Sequence, residues 1–202
     1  MTESLDRDKL LEAFDEIGAA AAATGTTLQI AVYGGSALML ASNFRFSTED
    51  VAPLENPWPD WLRRAVDRIA VANGWSADWF NDGVAFHLSP LADHAIDHLE
   101  FGSFPRDGTP PGLIVHVPSA QYLLALKLKA IRVNDARRGE QERLDILNLM
   151  RVVSIAGIEE AISVLARFFP ASAANAEKQR FLLKYMNQAG TVDAPEYLKR
   201  GR

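Results

Sequence analysis

Two glycines and a serine, Gly34, Gly35 and Ser36, stand directly after a short apolar run over residues 28–33. The run predicts a buried strand, and residues 36–42 are predicted to begin the next helix. Glycines between a strand and a helix let the backbone approach a phosphate closely. The first backbone amides of the helix then point at that phosphate. The pattern therefore indicates a phosphate-binding turn, and a purely structural turn explains it equally well.

A charged stretch that includes Asp50 follows this turn along the chain. Aromatic and polar residues alternate over residues 44–52, which predicts a second strand. A carboxylate on such a strand is suited to Mg²⁺, which prefers oxygen ligands and the oxygens of substrate phosphates. Charged residues at strand ends are also commonly just solvated, so the stretch by itself leaves both interpretations open.

A lysine and two carboxylates lie further along, in a part of the chain with helical patterns. Lys127 belongs to the strongest of these patterns, which opens with Ser119 as a plausible N-cap, and a lysine can bind phosphate as a point charge. Glu142 and Asp145 are three residues apart and therefore lie on one face of a helix. Taken singly, each of these charges is also typical of a solvated helix surface.

Four segments occur in a characteristic order along the chain: VYGGSALML, FRFSTEDV, LLALKLKAIR and ERLDILNL. In this order they resemble the AbiEii-like and related minimal nucleotidyltransferases, whose pattern is roughly hGG[ST]A, RxTxDhD, a lysine-containing helix and a DxxD helix. The resemblance covers about residues 28–170. No single segment is specific, but four in sequence, each in the expected structural context, make chance a poor explanation.

The resemblance implies an α/β fold of the α+β kind, with a nucleotidyltransferase-like mixed sheet flanked by helices. It also implies that the glycine turn cradles a triphosphate, that carboxylates on the next strand hold Mg²⁺, and that a nucleotidyl group is transferred. Asp145 is then expected near the site, and Arg45 at a phosphate or in a structural contact. The residues carried over are, for catalysis, Asp50, Lys127 and Asp145; for nucleotide binding, Gly34, Gly35, Ser36, Arg45 and Lys127; and for the metal, Asp50 and Glu100.

One residue departs from the family pattern. Where the pattern has Asp-h-Asp, this chain has Asp50, Val51 and Ala52, so the second carboxylate of the strand is missing. A methyl group cannot coordinate Mg²⁺, and such enzymes depend on electrostatic stabilisation of the transferring phosphoryl group. The departure therefore predicts a weakened or lost metal site.

Other carboxylates are candidates for the missing ligand. Glu49 is adjacent to the first carboxylate, and neighbouring residues on a strand point to opposite faces, which argues against it. Glu55 and Asp60 lie in a proline-rich stretch that is predicted to be a loop. A third carboxylate, which a later strand often supplies in this fold, is either Glu100 or Asp97, and the sequence does not decide between them.

Three functions are compatible with these residues. The first is an Mg²⁺-dependent nucleotidyltransferase that moves a nucleoside monophosphate from an NTP to a tRNA-like nucleic-acid or protein acceptor. The resemblance adds that this enzyme would be the toxin of a toxin–antitoxin pair, with a cognate antitoxin as partner. The second is a degenerate member of the fold that retains nucleotide or protein binding, for which Ala52 is the main support. The third is an interaction protein whose helical half docks a partner.

The remaining patterns predict strands and helices in the first part of the chain and helices alone in the second. We expect an α/β core over residues 1–118, a helical region packed on it over residues 119–190, and a poorly ordered tail over residues 191–202. Further strands are predicted over residues 84–88, 98–104 and 113–117, and helices over residues 3–23, 60–73, 144–153, 158–169 and 174–186, besides the one that opens at Ser119.

Composition restricts the chemistry and the partners. The chain has no cysteine, which excludes disulfides, thiolate zinc ligands and a cysteine nucleophile, and its four histidines are scattered along the sequence. A net charge of −5 argues against broad non-specific binding to nucleic acid. The N-terminus lacks the pattern of a secretory signal, and no apolar run approaches the roughly 20 residues of a membrane span. We therefore expect a cytoplasmic protein without a membrane partner.

Overall fold

The computed structural model describes residues 5–45, 47–48, 58–131, 136–186 and 194–200. Within these ranges, no helix combines the length and the apolarity that crossing a membrane requires. The strands are β1 (Leu5–Asp6), β2 (Leu28–Ala31), β3 (Ser47–Thr48), β4 (His98–Phe104) and β5 (Leu113–Pro118). The helices are α1 (Arg7–Ala23), α2 (Gly34–Ala41), α3 (Asp60–Asn73), α4 (His94–Asp97), α5 (Ala120–Ala130), α6 (Ala136–Val152), α7 (Ile158–Phe168), α8 (Pro170–Ala174) and α9 (Glu177–Met186).

A three-stranded mixed sheet with the strand order β2-β5-β4 forms the centre of the fold. β2 runs parallel to β5 and pairs Leu28 with Leu113, while β4 runs antiparallel to β5 and pairs His98 with Pro118. The short strands β1 and β3 form a separate antiparallel ribbon. The prediction of a mixed sheet flanked by helices, with helices in the C-terminal half, is therefore confirmed.

One face of the sheet is apolar and is covered by α1. Val115 and Val117 of β5 are fully buried on this face. Phe14 of α1 meets Phe104 of β4 edge to face, with 5.3 Å between the ring centroids. The helix lies so close to the end of β4 that a Cβ on Gly18 would be 2.5 Å from the carbonyl oxygen of Phe104, so only glycine fits there. α3 in turn packs against α1.

The opposite face of the sheet is polar, because successive side chains of a strand point to opposite sides. His116 of β5 lies on this face opposite Glu100 of β4. His98 is two residues before Glu100 in β4 and therefore points to the same side. The pairing of β4 shifts by one residue between Glu100 and Gly102. Side chains capable of acid–base chemistry therefore collect on this polar sheet face.

α5 connects the sheet to the helices of the C-terminal half. Ser119 caps it as predicted, with its Oγ accepting a hydrogen bond from the amide of Tyr122 at 3.3 Å. α5 then packs against both α6 and α7. The buried apolar residues of the sheet and of α1, α5, α6, α7 and α9 form one continuous cluster, so the helical half shares its core with the sheet.

One predicted element is wrong, and one predicted helix begins later than predicted. Residues 84–88, predicted as a strand, contain a 3₁₀ turn at Ala85–His87, in which the amide of His87 donates to the carbonyl of Val84 at 2.8 Å. This local hydrogen bond takes the place of pairing with a strand. The helix predicted over residues 174–186 is found as α9, which begins three residues later than predicted. The short helix α8 precedes it and begins at Pro170, because proline suits the first helical position.

Part of the tail that was predicted to be poorly ordered packs on the domain. Tyr197 is buried, and its hydroxyl donates to the carbonyl of Pro118 at 2.7 Å. The amide of Leu198 donates to the carbonyl of Ala41 at 2.8 Å, which places the segment beside the end of α2. Residues 194–200, called the C-terminal strap below, therefore belong to the folded domain.

Candidate functional site

The glycine turn lies between β2 and α2, as the sequence predicts. Gly34 has a φ of +68°, in the left-handed region that favours glycine, so backbone conformation accounts for this residue. Gly34 and Gly35 are half-buried, whereas Ser36 is 1% exposed and its hydroxyl lies in the interior. The turn can thus offer backbone amides to an anion, but the serine hydroxyl is not at the surface.

A buried carboxylate gathers two cations from distant parts of the chain. Asp145 of α6 is 0% exposed, and its Oδ2 accepts from Nζ of Lys127 at 2.8 Å and from a guanidinium nitrogen of Arg45 at 3.1 Å. Its Oδ1 accepts from the side-chain amide of Gln141 at 3.1 Å. Arg45, Lys127 and Asp145, called the buried ion cluster below, are three predicted site residues that the structure brings together.

The packing of the helices explains why these three residues meet. Lys127 lies on α5 and Asp145 on α6, which pack against each other, and Arg45 follows α2. Both cations reach the surface in part, with 13% of the Lys127 side chain and 21% of the Arg45 side chain exposed. The exposed parts of Lys127 and Arg45 present positive charge to solvent, where an external anion can contact them.

The surroundings of Asp145 indicate that it positions cations instead of binding a metal. Both of its oxygens accept hydrogen bonds, and none of its surface is exposed. A buried carboxylate is costly unless cations and donors compensate it, which Lys127, Arg45 and Gln141 do here. The role that this geometry supports for Asp145 is to hold Lys127 and Arg45 in place.

The two candidates for a third metal-binding carboxylate lie in other surroundings. Glu100 is exposed on the polar sheet face, directly across from His116. Asp97 is 3% exposed and accepts from the guanidinium of Arg167 at 2.8 Å and from the amide of Asp93 at 2.9 Å. Asp97 is therefore engaged in a structural ion pair, and Glu100 neighbours a histidine instead of a carboxylate.

Asp50, the predicted first metal ligand, lies outside the described residues, together with Glu49, Ala52 and Glu55. Asp60 is exposed in the first turn of α3. In the part of the chain that the structure describes, no group of three or more His, Asp or Glu side chains is arranged to hold a metal ion. These residues alone do not fit Mg²⁺, and a magnesium site would require Asp50.

Three histidines, His94, His98 and His116, come together on the polar sheet face, although they are scattered in the sequence. The ring centroid of His94 lies 4.9 Å from that of His98 and 5.2 Å from that of His116. Nε2 of His98 is 2.7 Å from the hydroxyl of Tyr33, the residue directly before Gly34. His98 and His116 lie in predicted strands, but the pairing register that brings their rings close together does not follow from the sequence.

Burial favours the uncharged form of two histidines of this cluster, His98 and His116. Loss of hydration, with the charges of His94 and His116 as further causes, lowers the pKa of His98 to about 4. Burial also lowers the pKa of His116 and raises the pKa of the Tyr33 hydroxyl. The Nδ1 atoms of His98 and His116 are buried without a hydrogen-bond partner among the described residues. A neutral and incompletely hydrogen-bonded group therefore lies beside the glycine turn.

Comparison with known proteins identifies no family for this chain. No protein-family model matches the sequence, and no curated protein or solved structure is significantly similar to it. The resemblance to AbiEii-like nucleotidyltransferases rests on the four sequence segments alone. Because function resides in sites and not in folds, the buried ion cluster and the glycine turn carry the functional argument.

Proposed function

We propose that the protein binds a nucleoside triphosphate and transfers its nucleoside monophosphate to an acceptor hydroxyl. The observation that carries the proposal is that a fully buried Asp145 holds Lys127 and Arg45 together, with both cations partly open to solvent. These are the residues that the resemblance to nucleotidyltransferases assigns to phosphate binding. The glycine turn, which lies between a strand and a helix, supports the same function.

The electrostatics of the cluster favour a phosphate ligand. Two cations share the carboxylate of Asp145, and each presents part of its side chain to solvent. Partial burial weakens solvent screening and strengthens the attraction for an anion. Lysine acts on phosphate as a compact point charge, and arginine can bind two phosphate oxygens at once through its planar guanidinium. The arrangement therefore suits a triphosphate better than an uncharged ligand.

In the proposed reaction, the oxygen of the acceptor hydroxyl forms a bond to the α-phosphorus of the triphosphate. The bond from that phosphorus to the oxygen bridging the α- and β-phosphates breaks, and pyrophosphate leaves with the electron pair. The hydroxyl proton passes to solvent. Lys127 and Arg45 lower the energy of the reaction by offsetting negative charge on the phosphates, which is the main protein contribution in phosphoryl chemistry.

Magnesium is part of the proposal on the strength of the sequence resemblance. Asp50 is its proposed ligand, and when bound the ion would help to neutralise the triphosphate. The acceptor is proposed to be a tRNA-like nucleic acid or a protein, and a cognate antitoxin is a proposed partner, both on the same basis. The buried ion cluster itself supports phosphate binding and is independent of these finer assignments.

A second candidate function is nucleotide binding without catalysis. Three observations favour it: Ala52 replaces the second carboxylate of the family pattern, Asp145 is engaged by cations, and Glu100 lies beside His116. Such a protein would bind nucleotide through Lys127 and the glycine turn with little dependence on metal. It would release no pyrophosphate.

The two candidates are separated by assaying pyrophosphate release from each NTP with Mg²⁺, with bulk tRNA and then the protein itself as acceptor. If the protein is a transferase, the wild type releases pyrophosphate, and this release is lost in Lys127→Ala and in Asp50→Ala. Binding without release in any arm supports the second candidate, and Ala52→Asp then tests whether a second carboxylate restores the metal dependence. If the wild type neither binds nor turns over any NTP, the proposed function is wrong.

A further inference from the structure

The C-terminal strap pairs with the chain at the point where α2 ends. Ser42 and Tyr197 form an antiparallel bridge. Next to this bridge, the amide of Leu198 donates to the carbonyl of Ala41 at 2.8 Å. Backbone hydrogen bonds of this kind fix the position of one strand along its neighbour. The strap therefore acts as a short partner strand for the chain that leaves α2.

Asn43 adds side-chain hydrogen bonds to this backbone pairing. Its Oδ1 accepts from the amide of Glu196 at 2.9 Å, and its Nδ2 donates to the carbonyl of Ala194 at 3.3 Å. Its own amide donates to the carbonyl of Glu196 at 3.4 Å. Asn43 is exposed, so it contributes through these hydrogen bonds and not through packing in the core. It fastens the chain after α2 to the strap.

The strap is itself attached to the sheet and to α4. Tyr197 is 7% exposed, and its hydroxyl donates to the carbonyl of Pro118, at the end of β5, at 2.7 Å. The guanidinium of Arg200 donates to the carbonyls of Ile96 at 2.7 Å and of His98 at 3.4 Å. The strap therefore connects the chain after α2 to the edge of the central sheet.

Arg45 of the buried ion cluster follows Asn43 by two residues. Residues 42–45 lie outside the helices and the named strands, so no regular element fixes the path of this stretch. The guanidinium of Arg45 is 3.1 Å from Oδ2 of Asp145. Hydrogen bonds from nitrogen to oxygen usually measure about 2.7–3.2 Å, so a displacement of about 0.5 Å is enough to lose this contact.

We propose that Asn43 is a positioning residue, which holds Arg45 within reach of Asp145 by bonding to the C-terminal strap. Without its two side-chain hydrogen bonds, Arg45 contacts Asp145 for a smaller fraction of the time. Phe44 is buried and anchors the same stretch, so the effect is a partial one. The consequence for the ion cluster stands by itself, whereas the consequence for phosphate binding rests on the proposed function.

The first test needs no ligand. Urea denaturation of the intact chain compares the wild type, Asn43→Ala, Arg45→Gln and the double variant. If Asn43 acts through Arg45, the stability lost in Arg45→Gln is smaller by about half in the Asn43→Ala background, because contacting or coupled residues are not additive. Additive losses would overturn the proposal.

The second test is calorimetric titration of the same four proteins with ATP and Mg²⁺. Asn43→Ala is expected to raise the Kd about threefold, an effect of the size of one ordinary hydrogen bond, and to add nothing in the Arg45→Gln background. An equal rise in both backgrounds would overturn the proposal. If the wild type does not bind ATP, the proposed function fails, and the denaturation experiment alone decides the role of Asn43.

Asn81 supplies the matched control. In the loop after α3, its Oδ1 accepts from the amide of Gly83 at 3.0 Å and its Nδ2 donates to the carbonyl of Asp78 at 3.0 Å. Asn81→Ala therefore removes the same two kinds of hydrogen bond outside the strap. Its effect on stability should add to that of Arg45→Gln, and the Kd for ATP should change less than about twofold. Equal behaviour of the two asparagine variants would overturn the proposal.

Discussion

The buried ion cluster and the histidine cluster both place polar groups inside the protein, but different interactions accommodate those groups. In the ion cluster, both oxygens of Asp145 accept hydrogen bonds, and two cations balance the carboxylate. In the histidine cluster, burial favours the uncharged form of His98, and the Nδ1 atoms of His98 and His116 have no partner among the described residues. Opposite charges balance each other in the first cluster, whereas burial disfavours the charge of His98 in the second.

This difference separates the two clusters in their response to conditions. The ion cluster is held by paired opposite charges in a mostly buried site, so breaking it is expected to have the larger effect on stability. A histidine with a lowered pKa takes up a proton only in acid, at a cost to the fold. We therefore expect His98 to contribute to how stability changes with pH.

The largest effect is expected for Asp145→Asn, which breaks the ion cluster. The substitution removes the buried carboxylate charge that Lys127 and Arg45 share, so the free energy of unfolding should fall by about 3–5 kcal/mol. Urea denaturation at pH 7 measures this change. A loss below about 1 kcal/mol would mean that the cluster is solvated like a surface ion pair.

A smaller effect is expected from acid, acting through His98. Its pKa is about 4 in the folded protein against 6.5 for an ordinary histidine, so the folded state binds fewer protons between these values. The resulting stability is present above pH 6.5 and is lost as the pH falls towards 4, by about 2–3 kcal/mol. Denaturation at several pH values should show this slope flattened in His98→Asn.

The fourth histidine supplies the control for this slope. His87 is exposed in the 3₁₀ turn, and the described ring contacts of the cluster do not include it. His87→Asn should therefore keep the wild-type dependence of stability on pH between 4 and 6.5. If both substitutions flatten the curve equally, the histidine cluster is not its origin.

Tyr33→Phe probes the single hydrogen bond described between a phenol and the histidine cluster. The substitution removes the hydroxyl 2.7 Å from Nε2 of His98, leaving a buried nitrogen unsatisfied, so we expect a loss of about 1–2 kcal/mol. The effect should largely vanish in a His98→Asn background, which a double-mutant cycle by urea denaturation measures. Additive losses would show that Tyr33 acts through other contacts.

The smallest effect is expected at an exposed ion pair, which sharpens the contrast with Asp145. Glu159 accepts two hydrogen bonds from Arg180 at 2.8 and 3.0 Å, but both side chains are exposed. Glu159→Gln should therefore change the free energy of unfolding far less than Asp145→Asn does, and less still in high salt. A cost equal to that of Asp145→Asn would show that burial does not distinguish the two pairs.

Local patterns predicted the fold well. The strand, glycine turn and helix over residues 28–41, and the cap at Ser119, depend on neighbouring residues and are found close to where the sequence places them. Residues 84–88 were misassigned because a short apolar alternation also suits a 3₁₀ turn, and only tertiary context decides between them. The C-terminal strap was missed because its contacts are with residues more than 70 positions away.

The candidate site was predictable in its residue types but not in its connections. Lys127 and Asp145 were both predicted as site residues, but nothing in the sequence indicates that Asp145 accepts a hydrogen bond from Lys127. Arg45 joins them across 100 positions in the chain, a contact that only packing of the helices creates. The histidine cluster depends on strand register, which a one-residue slip would change completely.

The central claim, that Lys127 binds a nucleotide phosphate, is tested most directly by comparing two lysines of one helix. Lys129 also lies on α5, but it donates to the carbonyl of His87 at 2.8 Å and lies outside the ion cluster. We predict that the Kd for NTP with Mg²⁺ rises about tenfold or more in Lys127→Ala and less than about twofold in Lys129→Ala. Equal effects of the two substitutions, or no binding to the wild type, would contradict the claim.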